Sequence, residues 1–156
     1  MYRSKTLKLT NAFLLEFFQE EDFEQLQSFQ ALIEQTELHI RQKGAQAIGP
    51  LIQRTELRVD EDGEPQIAIT FIRQVNTFIN HVDAPYRMEA LIREADCLYT
   101  RFVGEEEHLQ LAYNKLQIVG YEEEIPLRGD AYTVFVNQSD EGGTLTADIF
   151  MPKANS

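Results

Sequence analysis

The sequence predicts an α+β fold made of a pseudo-twofold tandem βαββ repeat. Its sheet is mostly antiparallel, two main helices pack on one face, and a groove lies where the halves meet. Three observations lead there. Residues 120–152 read as a helix stop at Gly120, an acidic loop, and two strands joined at Gly142-Gly143. The earlier chain follows the same order of strand, helix, strand, strand. Finally, Phe17-Phe18-Gln19-Glu20-Glu21-Asp22 is echoed by Phe102-Val103-Gly104-Glu105-Glu106-Glu107, and Glu61-Asp62-Gly63 by Asp140-Glu141-Gly142. The echoes recur at a spacing of roughly 80 residues.

Each element has a local reason. Residues 6–18 alternate with apolar side chains on both faces, as in a strand covered on both sides. Glu20-Glu21-Asp22 suits the positive end of a helix over 22–43, where Phe23, Leu26, Phe29, Ile33 and Ile40 form a stripe and Gly44 caps the end. Ile48-Gly49-Pro50 breaks the chain. Residues 51–59 and 66–74 form a hairpin around the Asp60–Pro65 turn signal. Residues 76–93 read as a linker between repeats at 6–75 and 94–152, all within one domain spanning 1–156. Residues 94–103 form the next strand. The triplet Glu105-Glu106-Glu107 opens a second helix reaching about Val119, with Leu109, Ala112, Tyr113 and Leu116 as its packing stripe.

Composition narrows the function. The chain has 156 residues, 43% hydrophobic, with ten Phe, six Tyr and no Trp, so it has the material for a substantial core. No apolar run approaches the roughly 20 residues of a membrane helix, and MYRSKTLKLT lacks the apolar centre of a signal peptide. A single cysteine, Cys97, forms no intrachain disulfide, and a cytoplasmic location is the simplest expectation. The formal net charge of −12 opposes phosphate backbones, which argues against nucleic acid as a partner. The same charge favours a cationic ligand or a basic protein partner, or is simply a soluble surface.

Motifs for chemistry are sparse. There is no HExxH, phosphate-binding loop, dinucleotide fingerprint or G-x-S-x-G elbow. Glu105 and His108 have the Glu-x-x-His spacing of di-metal bundles, but a second copy is missing. No metal site, cofactor or catalytic residue is therefore assigned. Cys97 reads as a small core residue, and Arg128-Gly129-Asp130 as a turn. Glu122-Glu123-Glu124 is a solvated loop or a contact for a basic partner. A groove between the halves would be lined by Phe71, Tyr99, Tyr113, Tyr132, Phe135 and Phe150, whose alternative is ordinary core. Glu16, set among Leu14, Leu15, Phe17 and Phe18, and Asp148, beside Thr146 and Phe150, are candidate pocket carboxylates or edge residues that reach water.

The run LQIVGYEEEIPLRGDAYTVFVNQ, followed by TADIFMP, resembles the C-terminal half of GyrI-like small-molecule-binding domains. The βαββ order and Ile48-Gly49-Pro50 extend that resemblance over nearly the whole chain, in the manner of free-standing members. It implies a ligand pocket in which a strand Glu meets cationic ligands, with a Tyr two residues later. Here Thr133 and Phe135 stand at those positions, which weakens the expectation of cation recognition and of the hydrolase activity of some relatives.

The reading is a stand-alone, non-catalytic module, monomer or homodimer, that binds a hydrophobic or amphipathic small molecule between its halves. Its rival is an acidic protein-interaction factor, such as an inhibitor, immunity or secretion-accessory protein, with no small-molecule ligand. A hydrolase using Glu16 or Asp148 as a base is a third reading.

Overall fold

The computed structural model describes residues 3–18, 25–138 and 144–154. Its elements are β1 (Arg3–Phe18), α1 (Gln25–Gln42), β2 (Ala47–Val59), β3 (Pro65–Val75), β4 (Tyr86–Glu105), a 3-10 turn (Glu106–His108), α2 (Leu109–Glu122), β5 (Asp130–Gln138) and β6 (Thr144–Met151). The antiparallel strands close into a six-stranded barrel in the order β1-β3-β2-β5-β6-β4. Each of these strands is thus paired on both sides. The mostly antiparallel sheet expected from sequence is antiparallel at every strand pairing and closes on itself, so edge-to-edge pairing of copies loses its basis.

Strand alternation divides the core into inside and outside. One buried cluster takes residues from all six strands, including Leu7, Leu14, Ile52, Ile72, Tyr99, Tyr132 and Phe150, and so lies within the barrel. Opposite-parity residues meet the helices on the outer surface. Leu98, Ala131, Ile149 and Met151 pack against Ala112 and Leu116 of α2. Phe13 and Val75 cluster with Ile40 of α1, while Leu15, Ile69 and Phe71 meet its Leu32 and Ile33. The longest strands reverse parity within their length. Inward positions run Leu7 and Leu9 and then Ala12 and Leu14, with Asn11 between them at φ 48°. In β4 the same reversal falls at Asp96, at φ 54°. Both residues are types that tolerate this region, and such kinks bend a long strand around a small barrel.

Several boundaries differ from the sequence reading. β4 begins at Tyr86, so the second half of the expected 76–93 linker is strand. Its Arg87–Ile92 stretch pairs with β1, which recruits residues whose own pattern is ambiguous. Ile48-Gly49-Pro50 bends β2 without ending it: Gly49 is left-handed at φ 74°, and the register shifts between Ile48 and Ile52. The acidic start expected for the first helix and the Gly142-Gly143 turn lie outside the described residues.

Gly120 does not stop α2. It is buried inside a helix that runs to Glu122, and Glu124 takes the left-handed position at φ 57°. The N–H of Ile125 then donates to the carbonyl of Gly120 at 2.8 Å, closing the helix end. Gly120 is needed for space: a Cβ there would lie 3.1 Å from Leu127 Cδ1 and 3.3 Å from the Ile125 carbonyl oxygen. Gly120→Val is expected to destabilise the fold by about 1–3 kcal/mol through overpacking, despite the general advantage of replacing a helical glycine. Urea denaturation that finds the variant as stable as the parent would refute this account.

Candidate functional site

Two hollows flank the barrel wall, one inside and one outside. The inner chamber, about 280 Å³, has an aliphatic floor of Leu14, Ile72 and Ile92 and a charged wall that includes Arg54, Glu94, Arg128 and Tyr132. A chain of ion pairs fills this end. Tyr132 Oη donates to Glu94 Oε2 at 2.8 Å, and Arg128 grips both Glu94 oxygens at 3.1 and 2.6 Å. Arg128 also donates to both oxygens of Asp130, at 2.8 and 2.6 Å, and Arg54 donates to Asp130 Oδ2 from Nε and Nη2 at 3.1 and 2.9 Å. Glu56 joins Arg54 at 2.6 Å and Arg58 at 3.0 Å, and Arg58 forks onto Glu16 at 2.7 and 3.2 Å.

The geometry sets the charges. Burial alone would favour neutral Asp130, whose side chain is 1% exposed, but the hydrogen bonds from Arg128 and Arg54 hold its carboxyl below the usual range. Glu16 is likewise lowered, chiefly by its hydrogen bond from Arg58. Burial raises the Tyr132 phenol, and its bond to Glu94 raises it further. Near the other end of the barrel, Asp148 accepts from Arg101 at 2.8 and 2.9 Å and from Tyr99 at 2.7 Å, and it too is lowered, mainly by Arg101.

The outer hollow is a cleft of about 590 Å³ over the β2–β5 seam, between α2 and the barrel. Its apolar lining includes Leu57, Ile67, Leu109, Leu127, Phe135 and Met151, with Tyr113 beside them and Gln53, Gln110 and Gln117 as neutral polar groups. At 64% and 42% exposure, Leu57 and Ile67 offer an apolar surface that the fold itself leaves uncovered. Beside the cleft, the Tyr113 hydroxyl is hydrogen-bonded to that of buried Thr133. Burial raises the Tyr113 phenol, so this pair is uncharged at neutral pH.

The structure distributes the expected pocket residues over three environments. Tyr113, Thr133 and Phe135 meet at the cleft. Tyr99, Tyr132 and Phe150 belong to the barrel interior, where Tyr99 and Phe150 rings lie 5.0 Å apart. Glu16 and Asp148 also face inward, each held by an arginine. Phe71 packs edge-on against Phe17 at 5.1 Å beneath α1, away from the cleft. The nine candidates are therefore not gathered around one hollow, and the core alternative holds for Tyr99, Tyr132, Phe150 and Phe71.

The residues missed from sequence are the network's Arg54, Glu56, Arg58, Glu94, Arg128 and Asp130. Their signal was period two: Arg54-x-Glu56-x-Arg58 and Arg128-x-Asp130-x-Tyr132 each present alternate residues to one strand face. The Arg128-Gly129-Asp130 turn is thus part of the internal charge chain. Burial, then the nearby Glu94 carboxylate, pushes the Cys97 thiol up to about 11, away from nucleophilic chemistry. Glu105, Glu107 and His108 bring donor atoms within 4.8 Å of one another, but all are exposed at the entry to α2, where negative charge favours the helix in any case. No helix among the described residues is long and apolar enough to cross a membrane.

No protein-family model and no curated protein matches the sequence. Solved structures do match. The C-terminal domain of EcmrR aligns with TM-score 0.68 and 15% identity over 98% of both chains. EcmrR in a DNA-bound transcription complex aligns with TM-score 0.68 and 14% identity over 97% of this chain, which spans 57% of that longer protein. SAV2435 bound to tetraphenylphosphonium aligns with TM-score 0.55 and 12% identity over 99% of this chain and 94% of its own. At these identities the likeness establishes the fold.

Asp130→Asn is expected to cost about 3–5 kcal/mol in urea denaturation at pH 7, because it leaves two guanidinium groups without their shared carboxylate. The folded-state pKa of Asp130 is depressed, so its contribution is complete above the unfolded value of about 3.9 and is lost as pH falls through the folded value. The gap between parent and variant should accordingly narrow below about pH 4. A gap that is constant from pH 7 to pH 3 would contradict the assignment.

Proposed function

From the GyrI-like fold that this chain shares with those neighbours, we propose that it is a non-catalytic module binding a hydrophobic or amphipathic small molecule in the cleft over the β2–β5 seam. The observation that carries this reading is the cleft itself: about 590 Å³, within the usual range for ligand sites, predominantly apolar, and set over the pairing of β2 with β5. Tyr113 and Phe135 line it, with Thr133 bonded to Tyr113 beneath. Glu16 and Asp148, the carboxylates weighed as catalytic bases, are held ionised by arginines, which supports a binding role over hydrolysis.

The tandem-repeat reading of the fold belongs to this proposal. Exchanging β1, β2 and β3 for β4, β5 and β6 leaves the strand order around the barrel unchanged. The left-handed residues Asn11 and Asp96 have the same offset as Phe17 and Phe102, while Gly44 and Glu124 share an offset with Gly49 and Gly129. Such agreement supports duplication, with the cleft at the junction between copies.

The polarity of the cleft selects among ligands. Of the carboxylates around it, Glu56 and buried Asp130 are paired with arginines and Glu106 is exposed, while the Tyr113–Thr133 pair is neutral. A hydrophobic or amphipathic molecule suits this predominantly apolar surface; the neighbour SAV2435 is bound to the hydrophobic cation tetraphenylphosphonium. Transferring apolar surface out of water would supply about 25 cal/mol per Å² before the losses of association are deducted.

The test is a thermal-shift panel of neutral and cationic hydrophobes, followed by titration with Nile red. Neutral hydrophobes should raise Tm, as ligands selective for the folded state must. Phe135→Ala and Ile67→Glu should each weaken Nile red binding about tenfold, a loss of roughly 1.4 kcal/mol. Thr133→Glu should improve tetraphenylphosphonium binding. A panel without any Tm increase, or Nile red binding unchanged by both cleft variants, would reject the site.

A further inference from the structure

The outer face of α2 carries three large apolar side chains among its polar residues. Its buried face is complete, with Ala112, Leu116 and Gly120 against the barrel. On the opposite side Leu111, Ile118 and Tyr121 follow one another at heptad-like spacing and are 63%, 55% and 87% exposed. A surface helix normally keeps its large apolar residues on the buried side, so an aligned exposed set marks a candidate contact. The exposed stripe is about 15 Å long at the helical rise. At its C-terminal end Tyr121 borders a shallow depression of about 760 Å³, whose wall includes Ile125, Pro126 and Leu127. An apolar seam therefore ends beside a recess able to receive a larger side chain.

Charge identifies the kind of partner. Glu105, Glu106 and Glu107 precede the helix, and Glu122, Glu123 and Glu124 end it, all exposed, while Lys115 is the only basic residue within α2. We propose that the outer face of α2 is a docking surface for a basic amphipathic helix. The partner's apolar stripe lies along Leu111, Ile118 and Tyr121, with Lys or Arg side chains beside the two Glu triplets. This is helix-on-helix recognition, with burial supplying affinity and charge supplying orientation and partner choice. A second copy of this chain is a poor occupant: an antiparallel α2–α2 pairing would set each Glu triplet beside one from the other copy, in a chain of net charge −12.

The surface is tested with the full chain and three labelled synthetic peptides: an amphipathic Leu/Lys helix, the same residues in scrambled order, and an amphipathic Leu/Glu helix. Fluorescence anisotropy should show binding of the ordered Leu/Lys peptide, at least tenfold weaker binding of the scrambled one, and none of the Leu/Glu helix. Affinity for the ordered peptide should fall as salt rises. The double variant Leu111→Glu, Ile118→Glu should bind at least tenfold more weakly with unchanged circular dichroism and Tm, as both side chains are already exposed. The triple variant Glu122→Gln, Glu123→Gln, Glu124→Gln should weaken binding and flatten the salt dependence. The proposal is overturned if scrambled and ordered Leu/Lys peptides bind equally, or if the Leu111/Ile118 variant binds like the parent. Sedimentation showing a dimer that the same variant dissociates would instead assign the face to a second copy.

Discussion

Closure of the barrel is the constraint from which the rest of this structure follows. A ring of six strands sends half of its side chains into a narrow common space, where every polar group must find a partner within the protein. The chain meets that condition by dividing the interior. Leu7, Leu9, Ala12, Ile52 and Ile72 make an apolar part, while charge is concentrated around the doubly held Asp130. Arginine suits this role because its planar fork satisfies two acceptors at once, as Arg128 does in joining Glu94 to Asp130. Ion pairs of this kind are weak evidence for net stability, since desolvation offsets much of their attraction. Their firmer consequence is geometric: Arg54–Asp130 and Arg128–Glu94 fix β2, the entry to β5 and the middle of β4 relative to one another.

That use of charge also decides where a guest fits. Glu56, Glu94 and Asp130 are already committed to guanidinium groups, and the inner chamber is the smaller and more polar space. Apolar surface remains uncovered outside the barrel, between α2 and the seam, where Leu57 and Ile67 face the cleft beside Phe135. The hydroxyl pair of Tyr113 and Thr133 supplies polarity without charge. The barrel interior thus holds the frame together, and its outer surface keeps the larger apolar volume.

Much of the fold was legible because periodicity and punctuation are local. The six strands, both helices and their order follow from alternation, apolar stripes and turn residues. Closure was not legible, since it depends on β1 finding β4 and β2 finding β5 across most of the chain. The parity reversals at Asn11 and Asp96 had the same difficulty: a single left-handed residue changes which face every later side chain occupies, and neither Asn nor Asp announces it. The candidate site was legible only in part. Tyr113, Thr133 and Phe135 meet at the cleft, whereas Tyr99, Tyr132 and Phe150 are equally aromatic but point inward. Glu16 stands in apolar company in the sequence, yet its partner Arg58 is on another strand, beyond the reach of local pattern.

Gly120 and Gln117 show why α2 is central to any functional account. Gly120 lets the end of α2 approach the loop at Ile125 and Leu127, and Gln117 borders both the seam cleft and the recess beside Tyr121. The cleft and the recess therefore adjoin the same stretch of α2. A rigid helix cannot be displaced on its barrel-facing side without carrying its outer stripe with it. Occupants on the two sides consequently share one mechanical element, and any coupling free energy between them must be equal in both directions. Its magnitude is set by how differently each occupant contacts the helix in its two positions, because equal contact in both shifts nothing.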